Sequence, residues 1–388
     1  MSSDSTVTDV DVAVIGVGTM GSMALWRLSR RPGLRVLGIE QYGPAHTHGS
    51  FSGESRLYRA AAKEGQLYIP ALLEARRLWQ ELEAESGRSI LLPVGALSVG
   101  PAGHQDLEST LRSIRAYDLP HRLLDADGLR AEFPQFAVRA EDIGILDELG
   151  GGLRPEVAVM TATEQAVAAG AEVRYHTEVL SLAEDADGVT VTTSAGTVRA
   201  ARVVVTAGSW TTRVLPELHS LLHVEAYALT WFMPRHIDRF TPDRLPVFMR
   251  DLDGVHAFGA PSLDGYSIKM CPKIDWDPID HPSQLPARIT PEQLAWAGEQ
   301  AQRMMPDLVP DPVRWSIHHD SVTPDHVPVI DRVGTGRIVV AAGMSGNGFK
   351  FAPAYGAVLA DLATEGASPW QHPMFTLAGH LDRAGAAV

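Results

Sequence analysis

The chain has 388 residues, enough for two domains or one large bipartite one, and its 45% hydrophobic and 21% charged residues are ordinary for a soluble globular protein. Its 33 Lys plus Arg against 47 Asp plus Glu leave a formal net charge of −14, which argues against nucleic acid or an anionic membrane as partner. The single cysteine, Cys271, excludes an internal disulfide and a cysteine zinc cage, and no run approaches the apolar length of a membrane span. Met1 to Thr8 is polar and carries no basic n-region, so it does not read as a signal peptide. A cytoplasmic soluble enzyme is the expectation.

Asp11 to Ile15 is a short β-branched run of the kind that forms a buried parallel strand. It breaks at Gly16-Val17-Gly18-Thr19-Met20-Gly21 and resumes with helical spacing from Ser22 to Leu28. A second apolar run, Arg35 to Ile39, ends on Glu40. Strand, Gly-x-Gly-x-x-Gly, helix, strand and acid form the dinucleotide fingerprint in its required context. The glycines let a pyrophosphate approach the helix N-terminus, where free N–H groups favour an anion. Glu40 is placed to hydrogen-bond the adenosine ribose. The fingerprint alone does not separate FAD from NAD.

The next segment, Gly43 to Arg59, is rich in Gly, Ser, Thr and His, and its Arg56 and Arg59 offer forked donors to an anion. His46 and His48 lack a further ligand at metal spacing, so no metal site is expected. Ile69 to Ser86 reads as an amphipathic helix with Pro70 in its first turn and Gly87 as its stop, its stripe being Ile69, Leu72, Leu73, Leu78, Trp79 and Leu82. Ser89 to Val99 reads as a strand of another sheet, with helices near His104 to Tyr117 and Asp127 to Glu132. Gly150-Gly151-Gly152 reads as a turn, Pro155 to Ala169 as a helix and Glu172 to Tyr175 as a strand. A meander follows through Val179 to Leu182, Val189 to Val191 and Thr197-Val198.

Arg202 to Val205 is a second buried strand, and it ends in the small-residue turn Thr206-Ala207-Gly208-Ser209-Trp210. Strands are expected over Val224 to Phe232, Val255 to Gly259, Tyr266 to Met270 and Val313 to His319. Thr290 and Pro291 start a helix that runs to about Arg303. Val327 to Asp331 precedes a third strand, glycine turn and helix start, Arg337 to Lys350, with the helix running on to Thr364. The expected architecture is α/β and α+β. A Rossmann-type unit of residues 1–87, 150–221 and 324–388 carries the dinucleotide, and a mixed-sheet unit of 88–149 and 222–323 carries the substrate.

The fingerprint, the His46 to Arg59 loop, the Thr206 to Trp210 turn, the Lys269 strand, Pro324 to Asp331 and Ser345 to Lys350 together resemble the monomeric sarcosine oxidase and N-methyltryptophan oxidase family of FAD-dependent amine oxidases. The resemblance implies a D-amino-acid-oxidase-like fold, FAD as cofactor, and a small amine and oxygen as partners. It implies that Arg59 and Lys350 grip a substrate carboxylate and that Lys269 activates oxygen. The cofactor set it implies is Gly16, Gly18, Thr19, Met20, Gly21, Glu40, Gln41, Ser50, Ser55, Arg56, Leu57, Val179, Ala207, Gly208, Trp210, Met344, Gly346, Gly348, Phe349 and Lys350.

The departures set the remaining expectations. His318 stands where the family commonly tethers flavin through a cysteine, and Cys271 lies elsewhere, so FAD is expected to bind non-covalently. Ser52 and Lys273 stand in place of histidines of sarcosine oxidase, and Phe258 and Asp320 in place of tyrosines. With those substrate-pocket positions changed, sarcosine itself is not the expected substrate. The implied reaction is oxidation of an amino acid or N-methyl amino acid to an imine, with hydrogen peroxide as co-product. The alternatives are a flavin dehydrogenase with another electron acceptor, an NAD-dependent dehydrogenase and a non-catalytic flavoprotein.

Overall fold

A computed structural model describes residues 8–386 of the chain, so the Met1 to Thr8 reading falls almost wholly outside the described residues. Five parallel strands form the centre of the first sheet, in the spatial order Glu172–Arg174, Val36–Ile39, Thr8–Ile15, Gly196–Val205 and Ile338–Ala342. Alternation decides what each strand buries. Val12 and Val14 enter a core beneath the helices Thr19–Leu28, Pro155–Ala168 and Ala352–Thr364, while Ala13 and Ile15 enter a second core on the opposite face. The Arg202 run and the last strand of the expected meander prove to be one ten-residue strand. Its first half pairs antiparallel with Val189–Thr193 and its end pairs parallel with Ile338–Ala342.

The second sheet has eight strands, ordered Leu308–Val322, His223–Pro234, Ile268–Pro272, Val255–Ala260, Val247–Leu252, Ala96–Pro101, Asp142–Asp147 and His121–Leu124. All of them fall within intervals 88–149 and 222–323. One face buries Phe232, Phe248, Ile268 and Met270 in its own core. The other turns toward the first sheet. Register fixes which residues share that face: Lys269 lies opposite Trp231 and Ala260, Phe258 opposite Cys271, His318 opposite Tyr227 and Asp320 opposite Glu225.

Several expected elements differ. Ser89 to Val99 is split by Pro93 and Gly95 into Leu91–Leu92, in a small three-stranded sheet, and Ala96–Pro101. Gly150 to Gly152 is no simple turn, because Gly151–Leu153 is the middle strand of that small sheet; a Cβ on Gly151 would overlap the Leu92 carbonyl. Strand Leu308–Val322 is longer than expected, since bulges against His223–Pro234 accommodate Pro310 and Pro312. Val247–Leu252 was not expected as a strand at all. Leu73 is exposed, and Ala75 takes its place in the buried stripe of Ile69–Ser86. Thr290 caps its helix as expected and, with Gln293, forms a capping box that was not anticipated. No helix among the described residues is long and apolar enough to cross a membrane.

Candidate active site

A cavity of about 540 Å³ runs between the two large sheets. Its nucleotide end is made of turns at the carboxyl ends of adjacent parallel strands, the usual ligand position in such sheets. Gly16 has φ +82°, and a Cβ there would come 2.7 Å from the Thr206 carbonyl. Gly18, Thr19 and Met20 line the cavity. Gly21, expected to touch the cofactor, does not line the cavity; it packs behind the turn, where a Cβ would overlap the Gly16 carbonyl oxygen. Thr206 fastens the two turns by donating its hydroxyl to Ile15 O at 2.9 Å and Gly16 O at 2.8 Å. The helix that follows has no side-chain cap and no acid in its first turn, so its N–H groups are left for an anion.

Glu40, expected to face a ribose, is buried and engaged with the protein itself. Its Oε2 accepts from Val17 N at 2.8 Å and its Oε1 from Tyr42 N at 2.9 Å, with His46 Nε2 3.2 Å from Oε1. Burial works to raise its pKa, but His46 and the two backbone donors outweigh that and hold it below the usual value. His46 is therefore spent on Glu40, and no cluster of metal ligands occurs among the described residues. Of the cofactor set the resemblance implies, Gln41, Ser50, Leu57, Val179, Ala207, Gly208 and Trp210 line the cavity, as do Met344, Gly346, Gly348 and Phe349.

At the other end, Arg59 and Lys350 are 5% and 4% exposed and both line the cavity. They converge on one oxygen: Glu64 Oε1 lies 3.0 Å from Arg59 Nη2 and 3.0 Å from Lys350 Nζ. Arg59 Nη1 and Glu64 Oε2 are buried without partners. Burial opposes the charge of Glu64, yet Lys350 and Arg59 hold its carboxyl far below the carboxylate range. Burial and the adjacent Arg59 outweigh Glu64 at Lys350 and bring it down to about 8. Glu64 was missed in the sequence, where nothing distinguishes it from a surface acid.

Asp320 lines the cavity beside the Gly346 turn. It accepts from Gly346 N and, at 2.9 Å, from Ser321 N, and burial raises its pKa to about 6 despite those donors. Phe258 and Lys273 line the cavity too, together with Tyr227, Met249 and His256, which the sequence did not single out. Alternation along His223–Pro234, Val247–Leu252 and Val255–Ala260 would have found Tyr227, Met249 and His256 only once the strand registers were known.

Three further expected positions differ. Ser52 is buried outside the cavity, its Oγ 3.4 Å from His318 Nδ1. Ser55 does not line the cavity either; its hydroxyl is buried without a partner. Lys269, 1% exposed, shares the cavity-facing side of its strand with Cys271, but its Nζ donates to the carbonyls of Gly53 (3.0 Å) and Ser55 (2.8 Å). Burial, then the Arg56 charge, lower its pKa to about 7. Arg56 lines the cavity with its guanidinium on the carbonyls of Ser50, Ser52 and Ser55 and on Tyr227 Oη.

The family described as FAD dependent oxidoreductase matches residues 11–362, nearly the whole chain. The chain belongs to that family. Among curated relatives, the oxidoreductase is 33% identical to a monomeric sarcosine oxidase of Streptomyces avermitilis over 94% of this chain and 95% of that protein. It is 31% identical to an N-methyl-L-tryptophan oxidase of Yersinia pestis over 95% and 99% of the two chains. The solved structure of NikD, described as an unusual amino acid oxidase essential for nikkomycin biosynthesis, superposes with a TM-score of 0.83 at 25% identity, covering 95% and 98%. L-proline dehydrogenase from P. horikoshii shares the fold, with a TM-score of 0.84 at 19% identity over 97% and 99%. The protein is an FAD-dependent oxidoreductase of CH–NH donors. Its nucleotide end fits that cofactor: uncapped helix N–H groups for the diphosphate and a buried carboxylate for the ribose.

Proposed function

We propose that this oxidoreductase oxidises a carboxylate-bearing amine, an amino acid or N-methyl amino acid, and reduces oxygen to hydrogen peroxide. The observation that carries the reading is the convergence of two cations of the cavity wall, Arg59 and Lys350, on a single carboxylate oxygen, Oε1 of Glu64. Two buried cations so arranged can hold a substrate carboxylate and thereby set its α-carbon in a fixed place, turning binding into orientation. FAD, when bound, supplies the two-electron chemistry, taking a hydride from the carbon next to nitrogen and passing electrons to oxygen. The amine loses a hydride and a proton to become an imine, water hydrolyses the imine, and oxygen gains two electrons and two protons.

Lys269, as a buried cation with no carboxylate partner among the described residues, would stabilise the negative charge that develops on oxygen. Phe258, Lys273 and Asp320 at the cavity wall support a substrate other than sarcosine. Ser52, shut away from the cavity, has no part in that choice. Residues 1–87, 150–221 and 324–388 would form the cofactor unit. Non-covalent attachment is supported by His318, whose Nε2 is engaged with Ser316 Oγ at 2.7 Å and which does not line the cavity.

A dehydrogenase is the second reading, favoured by the Lys269 ammonium being taken up by two carbonyls instead of facing the cavity. The experiment is anaerobic bleaching of the flavin by a panel of amino acids and N-methyl amino acids, followed by air. Bleaching by carboxylate amines with one peroxide formed per turnover is the expected result. Bleaching without peroxide selects the dehydrogenase, and bleaching by amines that lack a carboxylate overturns the clamp.

A further inference from the structure

Lys269 reaches its position through a turn contributed by the other half of the molecule. Gly53 has φ +113° and Glu54 has φ +72°, so two consecutive residues occupy backbone space that side chains disfavour. A Cβ on Gly53 would overlap Leu229. Ser55 N closes the turn on Gly53 O at 2.8 Å. This backbone directs the Gly53 and Ser55 carbonyls to one point, and the Lys269 ammonium occupies it. Backbone strain of this kind persists only where the surroundings impose it.

We propose that Glu156 is a positioning residue that imposes it, holding the Gly53-Glu54-Ser55 turn so that its carbonyls seat the Lys269 ammonium. Glu156 is the second residue of helix Pro155–Ala168, and its Oε1 accepts from both Gly53 N (2.6 Å) and Glu54 N (3.1 Å). One carboxylate oxygen thus pins the two peptides that precede the bend. The Glu54 side chain anchors the turn from the opposite side: its Oε2 accepts from Trp231 Nε1 at 2.6 Å, and its Oε1 pairs with Arg314 at 3.1 Å. The Trp231 ring is close to both cations, with Arg314 4.1 Å and Lys269 Nζ 5.5 Å from its centroid.

The charged and titratable groups that face Lys269 are Arg56, Cys271, Glu54, Glu156 and His318. Burial and Arg56 disfavour its protonated form, whereas Cys271, Glu54 and Glu156 favour it. Removing Glu156 takes away a favourable charge and releases the carbonyl seat. Both changes move the pH at which Lys269 loses its proton downward.

The functional consequence rests on the reading of Lys269 as the oxygen-side cation, and the experiment separates the two. Holoenzyme carrying Glu156→Ala, Glu156→Gln, Lys269→Met or the Ala/Met pair is compared in three measurements. Acetylation of Lys269 by acetic anhydride, followed by peptide mass mapping, reads the seat directly; in Glu156→Ala it becomes about tenfold faster. Reoxidation by oxygen slows in Glu156→Ala, its pH profile shifts to lower pH, and the effect vanishes in the Lys269→Met background. Glu156→Gln, which keeps an acceptor oxygen but not the charge, shifts the pH profile while leaving acetylation near the wild-type rate; it serves alone if the alanine variant does not fold. Unchanged acetylation in Glu156→Ala, an unshifted profile in Glu156→Gln, or the same slowing with and without Lys269 overturns the proposal. If Lys269→Met reoxidises at the wild-type rate, the oxygen reading of Lys269 fails, and the acetylation result then decides the positioning role alone.

Discussion

The two ends of the cavity are built on different principles. At the nucleotide end the working groups are main-chain: three turns at neighbouring strand ends, one uncapped helix N-terminus, and a carboxylate, Glu40, that braces the first turn. At the other end, proposed here to take the amine, they are side chains brought together from separate segments: Arg59 and Glu64 from one loop, Lys350 from the last glycine turn, Phe258 and Asp320 from two strands of the second sheet, and Lys273 from just beyond the end of a third. A main-chain site tolerates little change of shape, because its geometry is the chain's own path. A side-chain site can be altered residue by residue on an unchanged frame.

The largest effect expected from this contrast is at Gly21. In Gly21→Ala the new methyl must displace the Gly16 carbonyl, an overpacking that should cost about 1–3 kcal/mol of stability and leave protein that emerges colourless from desalting. Retained yellow colour with an unchanged melting temperature would show that the turn can adapt. At the other end, Arg59→Ala and Lys350→Ala should each weaken a carboxylate inhibitor by about 1.5–3 kcal/mol while FAD stays bound. Titration of the flavin spectrum with the inhibitor measures this, and an unchanged Kd removes that residue from the clamp.

Asp320 probes the seam between the two ends. Burial places its pKa near 6 in the folded protein, above the roughly 3.9 of an unfolded chain. The folded state therefore holds a proton that the unfolded state has lost, and stability from this group declines as pH rises from about 4 to about 6. Asp320→Asn removes the titration, so its stability relative to wild type should improve over that interval, by roughly 2–3 kcal/mol. Parallel melting curves with pH would expose the carboxyl as ionised throughout. The smallest effect is expected at His318. Acid precipitation should release all flavin from wild type and from His318→Ala alike, and flavin kept on the wild-type pellet but not on the variant's would establish a histidyl bond.

The same contrast explains what was legible beforehand. Glycines at fixed offsets after a β-branched run state their purpose locally, so the Gly16 to Gly21 turn and Glu40 could be read directly. Arg59 and Lys350 could be read as cations near an anion, but the carboxylate clamp they form and the role of Lys269 came only through family resemblance, because strand and loop cations look alike in isolation. Glu64 and Glu156 could not be read at all, since each acts on groups that the fold brings near from far along the chain. Ser52 and Ser55 misled for the reverse reason. The loop that holds them does border the cavity, but the turn at Gly53 and Glu54 points their hydroxyls elsewhere. Helix limits set by Pro and Gly were read well, whereas Leu308–Val322 was cut short because its prolines are absorbed by bulges that a single strand does not advertise.

The Thr206 hydroxyl closes onto Ile15 across 191 residues of sequence, and the third glycine turn, beginning at Gly343, arrives later still. During synthesis the opening strand emerges with only Val36–Ile39 as an early parallel neighbour, and its partner on the other side, Gly196–Val205, is half a chain away. Such distant pairing is slow to form and leaves strand edges open in the meantime. The cofactor pocket cannot be complete before residues 343–350 have left the ribosome, so the vitamin-derived group meets all three turns together only after that point.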